Sequence, residues 1–501
     1  MLGIVLGMLD SEALREWYRS IGKRGGSATS EEKSRAARRN GAQGGRPRRQ
    51  AKDLRELLRD ENLAQWLLGQ GLAQADSSED RPPAAMGHGL AARRWQSSGA
   101  GGMDPWQCWT IGWNGPEAPS APITSSLWDI LEPSVPERYY LSTTACAGML
   151  HRAESGNRLP QRLERALKMA AGIGTASSAL GMARPHLAGS DGQGVTANSG
   201  EVSHCLLATG PRRLNPTVET FVMDNDLRTR YLTPLEYERL QGFPDNFTRI
   251  PWSGKRVEEC PDTPRYCALG NSMAVPCVSW VGRRIGESHA NGRGSQKVKY
   301  IHIFSGVSAA SVAFRPLGWR PLAFSEIAPF ASEVLRLRHP GVPNAGDMTD
   351  HDWSQYRGKC DLVVGDPPCQ AFSVSGFRDS LRDGRGNLTL HFTKAVQAVR
   401  PAWVLAENVP GWLSTHDNAF GCFLAGLVGA DAPLRPPNDH GPWPRSGVVS
   451  SPVYGAAWRV LDAQYFGVPQ RRRRVFVIGH LGDWRPAAQA LFEHKGADSA
   501  D

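Results

Sequence analysis

The sequence predicts an α/β fold: a doubly wound, mostly parallel sheet, joined to a smaller second domain and a basic N-terminal extension. Three observations predict it. From residue 299 onward, apolar runs of strand length (KYIHIFSG, PLAFSEI, CDLVVGD, AWVLAEN, RRVFVIG) alternate with helix-like runs such as APFASEVLRLRH and NLTLHFTKAVQAV, and such alternation builds a largely parallel, doubly wound sheet. The 501 residues, 40% of them hydrophobic, suffice for several domains with a sizeable core. The stretch 33–49 carries Lys33, Arg35, Arg38, Arg39, Arg46, Arg48 and Arg49 and no acidic residue, the composition of an arm that neutralises phosphates without reading sequence.

Along the chain, residues 1–70 read as a basic, mostly helical extension whose opening MLGIVLGML starts a helix rather than a targeting segment. Residues 71–105, rich in Ala, Gly, Ser and Pro, read as a linker. Residues 106–227 match no fold pattern; they contain TACAGMLHRAESGNRLPQRLERALKMAAG, two helices broken near 156–160. A compact region follows at 228–285, with helices in PLEYERLQGF and AVPCVSWVGRRI, then a linker at 286–296, the α/β region at 297–482 and a tail at 483–501. Within the α/β region, 415–457 is rich in Pro and Gly and reads as an irregular insertion.

Lys plus Arg number 58 against 49 acidic residues, a net charge of +9, compatible with a nucleic-acid partner. Nine scattered cysteines without a CxxC pair argue for a reducing, cytoplasmic setting and against a disulfide framework or a metal site. No apolar run approaches a membrane span.

Candidate chemistry sits where strands end. DLVVGDPPCQAFSVSG runs from an apolar strand through Asp366, Pro367 and Pro368 to Cys369; the prolines fix the backbone, a use for a nucleophile more than for a core thiol. FSGVSAAS ends the first strand and Glu326 closes the next, about 20 residues after Gly306, the pattern of a loop beside an acid that takes ribose hydroxyls. Ser308 and Ala309 stand where a pyrophosphate loop places glycine, which suits a nucleoside without phosphates. Asp347 can accept from an adenine amino group. Glu407 ends a buried strand, where a carboxylate is costly unless paired or protonated, making it a candidate acid. Arg472 and Arg474 share one face of an extended chain and can hold an anion.

Together these elements resemble the DNA cytosine-5 methyltransferases. The resemblance rests on Phe304 and Gly306; Glu326; Pro368, Cys369, Gln370, Phe372, Ser373 and Gly376; Glu407, Asn408 and Val409; Gln470, Arg472 and Arg474; and the stretches RYLTPLEYERLQGFP and ALGNSMAVP. The last two usually end the chain; here they precede the nucleotide-binding strand, so the order resembles a circular permutation of phage or prophage type. The resemblance runs from about residue 136 and makes 106–227 the target-recognition region and 228–285 the permuted closing segment.

It implies S-adenosylmethionine as cofactor, held by Phe304, Gly306, Glu326, Ile327, Asp347, Pro368, Asn271 and Ser272. It implies duplex DNA as partner, met by Gln370, Ser373 and Gln470, with a monomeric enzyme and a cognate restriction enzyme as a possible companion. Cys369 would add to C6 of a flipped cytosine, Glu407 would engage N3, Arg472 would sit near base and thiolate, and Arg474 would order Glu407. No metal is implied. Asp366 departs from the pattern, standing where a Gly or small residue is usual. The alternatives are an RNA-directed relative, for which a recognition region of about 120 residues is too large, and a DNA-binding protein that has lost the chemistry.

Overall fold

The computed structural model describes residues 90–95, 107–113, 117–119, 122–154, 159, 161–173, 186–188, 202–210, 219–224, 226–293, 297–368, 388–436 and 441–493. The basic arm at 33–49, together with Cys369, Gln370 and Ser373, lies outside the described residues.

In chain order the elements are β1 (Leu90–Trp95), β2 (Gln107–Trp113), α1 (Thr143–Glu154), α2 (Gln161–Ala170), β3 (His186–Ala188), β4 (Phe221–Met223), β5 (Thr229–Tyr231), α3 (Pro234–Gln241), α4 (Asp262–Asn271), α5 (Val275–Arg293), β6 (Lys299–Ile303), α6 (Ala309–Phe314), β7 (Arg320–Ser325), α7 (Pro329–Arg338), β8 (Leu362–Gly365), α8 (Leu388–Val399), β9 (Trp403–Asn408), α9 (Ala419–Val428), β10 (Ser446–Ser450), β11 (Tyr454–Asp462), β12 (Arg473–Leu481) and α10 (Arg485–Leu491). The main sheet runs β1-β2-β10-β11-β12-β9-β8-β6-β7. Its end β9-β8-β6-β7 is parallel; the remaining pairings are antiparallel. The sheet is therefore mixed rather than mostly parallel: β10–β11 and β11–β12 are joined by short connections, which suit antiparallel neighbours, and β12 pairs antiparallel with β9.

The parallel half is wound on both faces. Successive residues of a strand point to opposite sides, and the core divides accordingly. Leu362, Val364, Trp403 and Leu405 pack with α3–α6 and α10 on one face. Val363, Val404 and Ala406 pack with α8 and α9 on the other. A strand buried on both faces reads as a continuous apolar run, which is why LVVG and WVLAEN are legible in the sequence.

Four boundaries differ from the sequence reading. Residues 286–293 continue α5 instead of forming a linker. The glycines of this helix permit close packing: a Cβ on Gly282 would lie 2.6 Å from the Phe314 ring and one on Gly286 3.3 Å from Trp319. His289 on the same helix is buried and accepts from Trp403 Nε1 at 3.3 Å. The expected linker 71–105 contains β1, and β2, within 106–227, joins the main sheet through β10. The presumed tail carries α10, stapled to β11 by Arg459, which donates to the Leu491 carbonyl at 2.8 Å and the Ala118 carbonyl at 2.5 Å. The supposed irregular insertion holds α9, buried at every position, so its sequence has no polar face to show helical period.

The region 106–227 does contain the two helices expected, α1 and α2, which form a small core with Phe221 and Met223 of β4. Beside them lies the three-stranded sheet β3-β4-β5. Among the described residues no helix is long and apolar enough to cross a membrane.

Candidate active site at the carboxyl edge of the parallel strands

Register places the candidate residues in a row. Ile303 of β6 pairs with Ser325 of β7 and Gly365 of β8, and Gly365 pairs with Ala406 of β9. The next residues in each strand's path are Phe304, Glu326, Asp366 and Glu407, so all four emerge together at the carboxyl edge, where open α/β sheets bind ligands. The antiparallel neighbour β12 enters at this same edge, with Phe476 opposite Glu407, and so brings Arg472 and Arg474 there.

One end of the row is a left-handed turn beside an acid. Phe304, Gly306 and Ser308 have φ of 57°, 52° and 56°, a left-handed turn that a side chain at Gly306 would disfavour. No atom lies within 4 Å of where a Cβ on Gly306 would stand, so its backbone faces open space. Glu326 accepts from Gly306 N at 2.7 Å with Oε2 and from Ala328 N at 2.6 Å with Oε1, leaving lone pairs on both oxygens. Ile327 beside it is 72% exposed, an apolar surface suited to the face of a base. Exposed Asp347 folds Oδ1 onto Thr349 N at 2.9 Å and Thr349 Oγ1 at 2.7 Å.

The end of α4 is close enough that burial and the Glu326 carboxylate both raise the Cys267 thiol pKa. Asn271 at that helix end is exposed, whereas the Ser272 hydroxyl is buried and donates to the Met273 carbonyl at 3.2 Å. Of that predicted pair, Asn271 alone is open to a ligand; the Ser272 N–H donates to the Leu269 carbonyl at 3.2 Å and its carbonyl accepts from Gln241 and Arg472. Ser308 occupies a left-handed position without being glycine because its hydroxyl is held by His302 Nδ1 at 3.0 Å and Ser311 Oγ at 2.7 Å.

The other end of the row is acidic and cationic at once. Glu407 is 6% exposed, and its Oε1 lies 3.3 Å from Arg474 Nε. Burial pushes its carboxyl up to about 7 against the opposing pull of Arg474 and Arg472, so it exchanges a proton near neutrality. Arg472 is buried and donates through Nη2 to the carbonyls of Gly270 at 2.9 Å and Ser272 at 2.6 Å, and through Nη1 to that of Leu206 at 3.4 Å. It thereby ties β12 to α4 and to the segment 202–210. Cys205 of that segment lies between the two guanidiniums, 3.4 Å from Arg472 Nη1 and 3.8 Å from Arg474 Nη2.

Asn408 donates to the Pro367 carbonyl at 2.9 Å and Thr389 to the Pro368 carbonyl at 3.3 Å, fixing the chain up to the residue before Cys369. Gln470 departs from its expected role. It is fully buried, donates to the Leu240 carbonyl at 2.9 Å and to Gln241 Oε1 at 3.2 Å, and accepts from Leu206 N at 3.1 Å. A carboxamide both donates and accepts, which suits it to lock three segments and not to meet DNA. Gln470→Ala is expected to lower stability by about 1–3 kcal/mol in urea unfolding and to leave DNA affinity of the folded fraction unchanged; a selective loss of DNA affinity would restore the original assignment.

The sequence did not single out His302 or Cys205. A polar residue inside KYIHI was the signal for the first; nothing local marks the second.

The family model for C-5 cytosine-specific DNA methylase matches residues 112–287, 298–427 and 449–499. The chain is 44% identical over 228 residues, 39% of this chain and 30% of the relative, to a protein of Escherichia phage P1 named DNA N-6-adenine-methyltransferase. It is 30% identical over 190 residues, 36% of this chain and 71% of the relative, to the type II methyltransferase M.AquIA of a Picosynechococcus strain. The chain thus spans less than a third of the phage P1 protein. Among solved structures, S. pombe Dnmt2 methyltransferase overlaps 37% of this chain and 50% of its own at 17% identity with a TM-score of 0.27; the fold is read from the chain's own strand order.

Proposed function

The chain belongs to the C-5 cytosine-specific DNA methylase family, and we propose that it transfers a methyl group from S-adenosylmethionine to C5 of cytosine in duplex DNA. The observation that carries this reading is the row at the carboxyl edge: a left-handed loop and Glu326 at one end, Glu407 with Arg474 at the other, and the Pro367–Pro368 segment between them.

The loop and Glu326 form a cradle that fits the cofactor. Glu326 keeps lone pairs for ribose hydroxyls, Gly306 leaves its backbone clear, and Ile327 offers an apolar face. S-adenosylmethionine, when bound there, supplies an electrophilic methyl group. The protein's part is to make C5 a nucleophile. The Cys369 thiolate adds to C6, forming a C–S bond and moving the ring's electron pair toward C5. Glu407, protonated, donates to N3 and draws off the charge as the thiolate adds; Arg474 holds it in place. After methylation the C5 proton leaves to solvent, the electron pair re-forms the ring double bond, and the thiolate departs. The cytosine must leave the helix stack to be reached. The permuted order belongs to this reading too, supported by α5 preceding β6 in the chain and packing in one core with it.

The test is methyl transfer from labelled S-adenosylmethionine to mixed-sequence duplex DNA, with product nucleosides separated. Label in 5-methylcytosine that vanishes in Cys369→Ala supports the reading. Label in N6-methyladenine, the base named for the phage P1 relative, or label only with RNA, overturns it.

A further inference from the structure

One buried cluster at this edge has no part in the proposed chemistry. His302 is fully buried in β6, and Asp366, the half-buried residue before the prolines, directly follows β8. His302 Nε2 lies 3.5 Å from Asp366 Oδ1. Both atoms are buried, and neither has a hydrogen-bond partner, a costly arrangement for two polar atoms unless they satisfy each other. The other imidazole nitrogen, Nδ1, is 3.0 Å from the Ser308 hydroxyl. Ser308 caps α6 and bonds Ser311, which in turn accepts from the Tyr300 hydroxyl at 2.9 Å. One line of polar contacts therefore runs from the residue before Pro367 to the turn of the nucleoside cradle.

We propose that Asp366 and His302 are positioning residues, a hydrogen-bonded strut that holds the Pro367–Pro368 segment in register with the cofactor loop. The inference rests on the methyltransferase reading above. The strut works as a neutral pair. Burial pulls the His302 imidazole down to about 3 and pushes the Asp366 carboxyl well up. Asp366 is then the acid that donates to Nε2, and Nδ1–H donates to Ser308. The charged groups around the pair are Glu326, which opposes ionisation of Asp366; Arg472, which favours it; Glu407; and His339. Burial and the Glu326 carboxylate thus favour keeping Asp366 protonated.

The reading makes a distinction that a merely structural role would not. An amide N–H can replace the acid's O–H toward Nε2, whereas glycine, which has no side chain, cannot. Asp366→Asn is therefore expected to keep S-adenosylmethionine affinity and kcat within about threefold of wild type. Asp366→Gly is expected to weaken cofactor affinity about tenfold, with kcat falling as well. His302→Gln is expected to lose affinity likewise, and the double variant Asp366→Gly with His302→Gln to lose no more than either alone.

The measurements are calorimetric affinity for S-adenosylmethionine and steady-state methylation of duplex DNA by the full chain, with circular dichroism melts to select folded variants. Asp366→Gly matching wild type overturns the strut. So does Asp366→Asn falling as far as Asp366→Gly, which would mark an ionised carboxylate, and so do strictly additive losses in the double variant. A wild-type chain that neither binds the cofactor nor methylates DNA would instead overturn the functional reading beneath it.

Discussion

Replacing Glu407 with glutamine is expected to cut turnover by about a hundredfold to ten-thousandfold, the usual share of a positioned acid, and yet to stabilise the protein above neutral pH. Both effects come from one fact: burial pushes this carboxyl up to about 7 from an ordinary 4.5. A group whose folded pKa is raised contributes stability that is fully present below about 4.5 and is lost as pH rises through about 7. Above that point the wild type holds a buried charge that Arg474 only partly offsets, at a cost of about 3 kcal/mol. Glutamine keeps the volume without the charge.

Thermal melts should coincide for the two proteins near pH 4 and separate by several degrees in favour of Glu407→Gln at pH 8. In the wild type, kcat/KM should decline as pH passes about 7 and the donating form of Glu407 disappears. The variant should lack that limb. A melting difference that stays constant across this range would mean the carboxyl is not held neutral, and the assignment of Glu407 as the proton donor to N3 would fall with it.

What the sequence made legible was local. LVVG and WVLAEN announced buried strands because burial on both faces leaves an uninterrupted apolar run, and their ends pointed to Cys369 and Glu407. The break between α1 and α2 was equally plain from Gly156 and Pro160. The failures share a cause, namely partners distant in sequence. Gly286 of α5 looks like a linker residue until Trp319 is seen against it. Gln470 looks like a polar residue free to meet a substrate, yet its partners Leu206, Leu240 and Gln241 are more than 200 positions away. His302 and Asp366 lie on strands separated by α6, β7 and α7, and only the pairing of β6 with β8 brings them together.

Arg472 carries the second large prediction, because the structure gives it a task the resemblance does not. Its fork is engaged on the carbonyls of Gly270, Ser272 and Leu206, and burial lowers its pKa without removing the charge. A guanidinium can serve carbonyls in several directions at once; an ammonium on a lysine stem reaches fewer of them in fixed geometry. Arg472→Lys should therefore leave two carbonyls unpaired and lower stability by about 3 kcal/mol, read as a drop in urea midpoint at unchanged slope. It should also weaken S-adenosylmethionine binding about tenfold, because Gly270 and Ser272 flank Asn271, and reduce methylation more than a hundredfold as Cys205, Arg474 and Glu407 lose their common support. If cofactor affinity and stability stay at the wild-type level while methylation collapses, Arg472 acts on the base alone, and its contacts to α4 are incidental. If all three fall together, the arginine is the joint through which the segment 202–210, α4 and β12 keep their places.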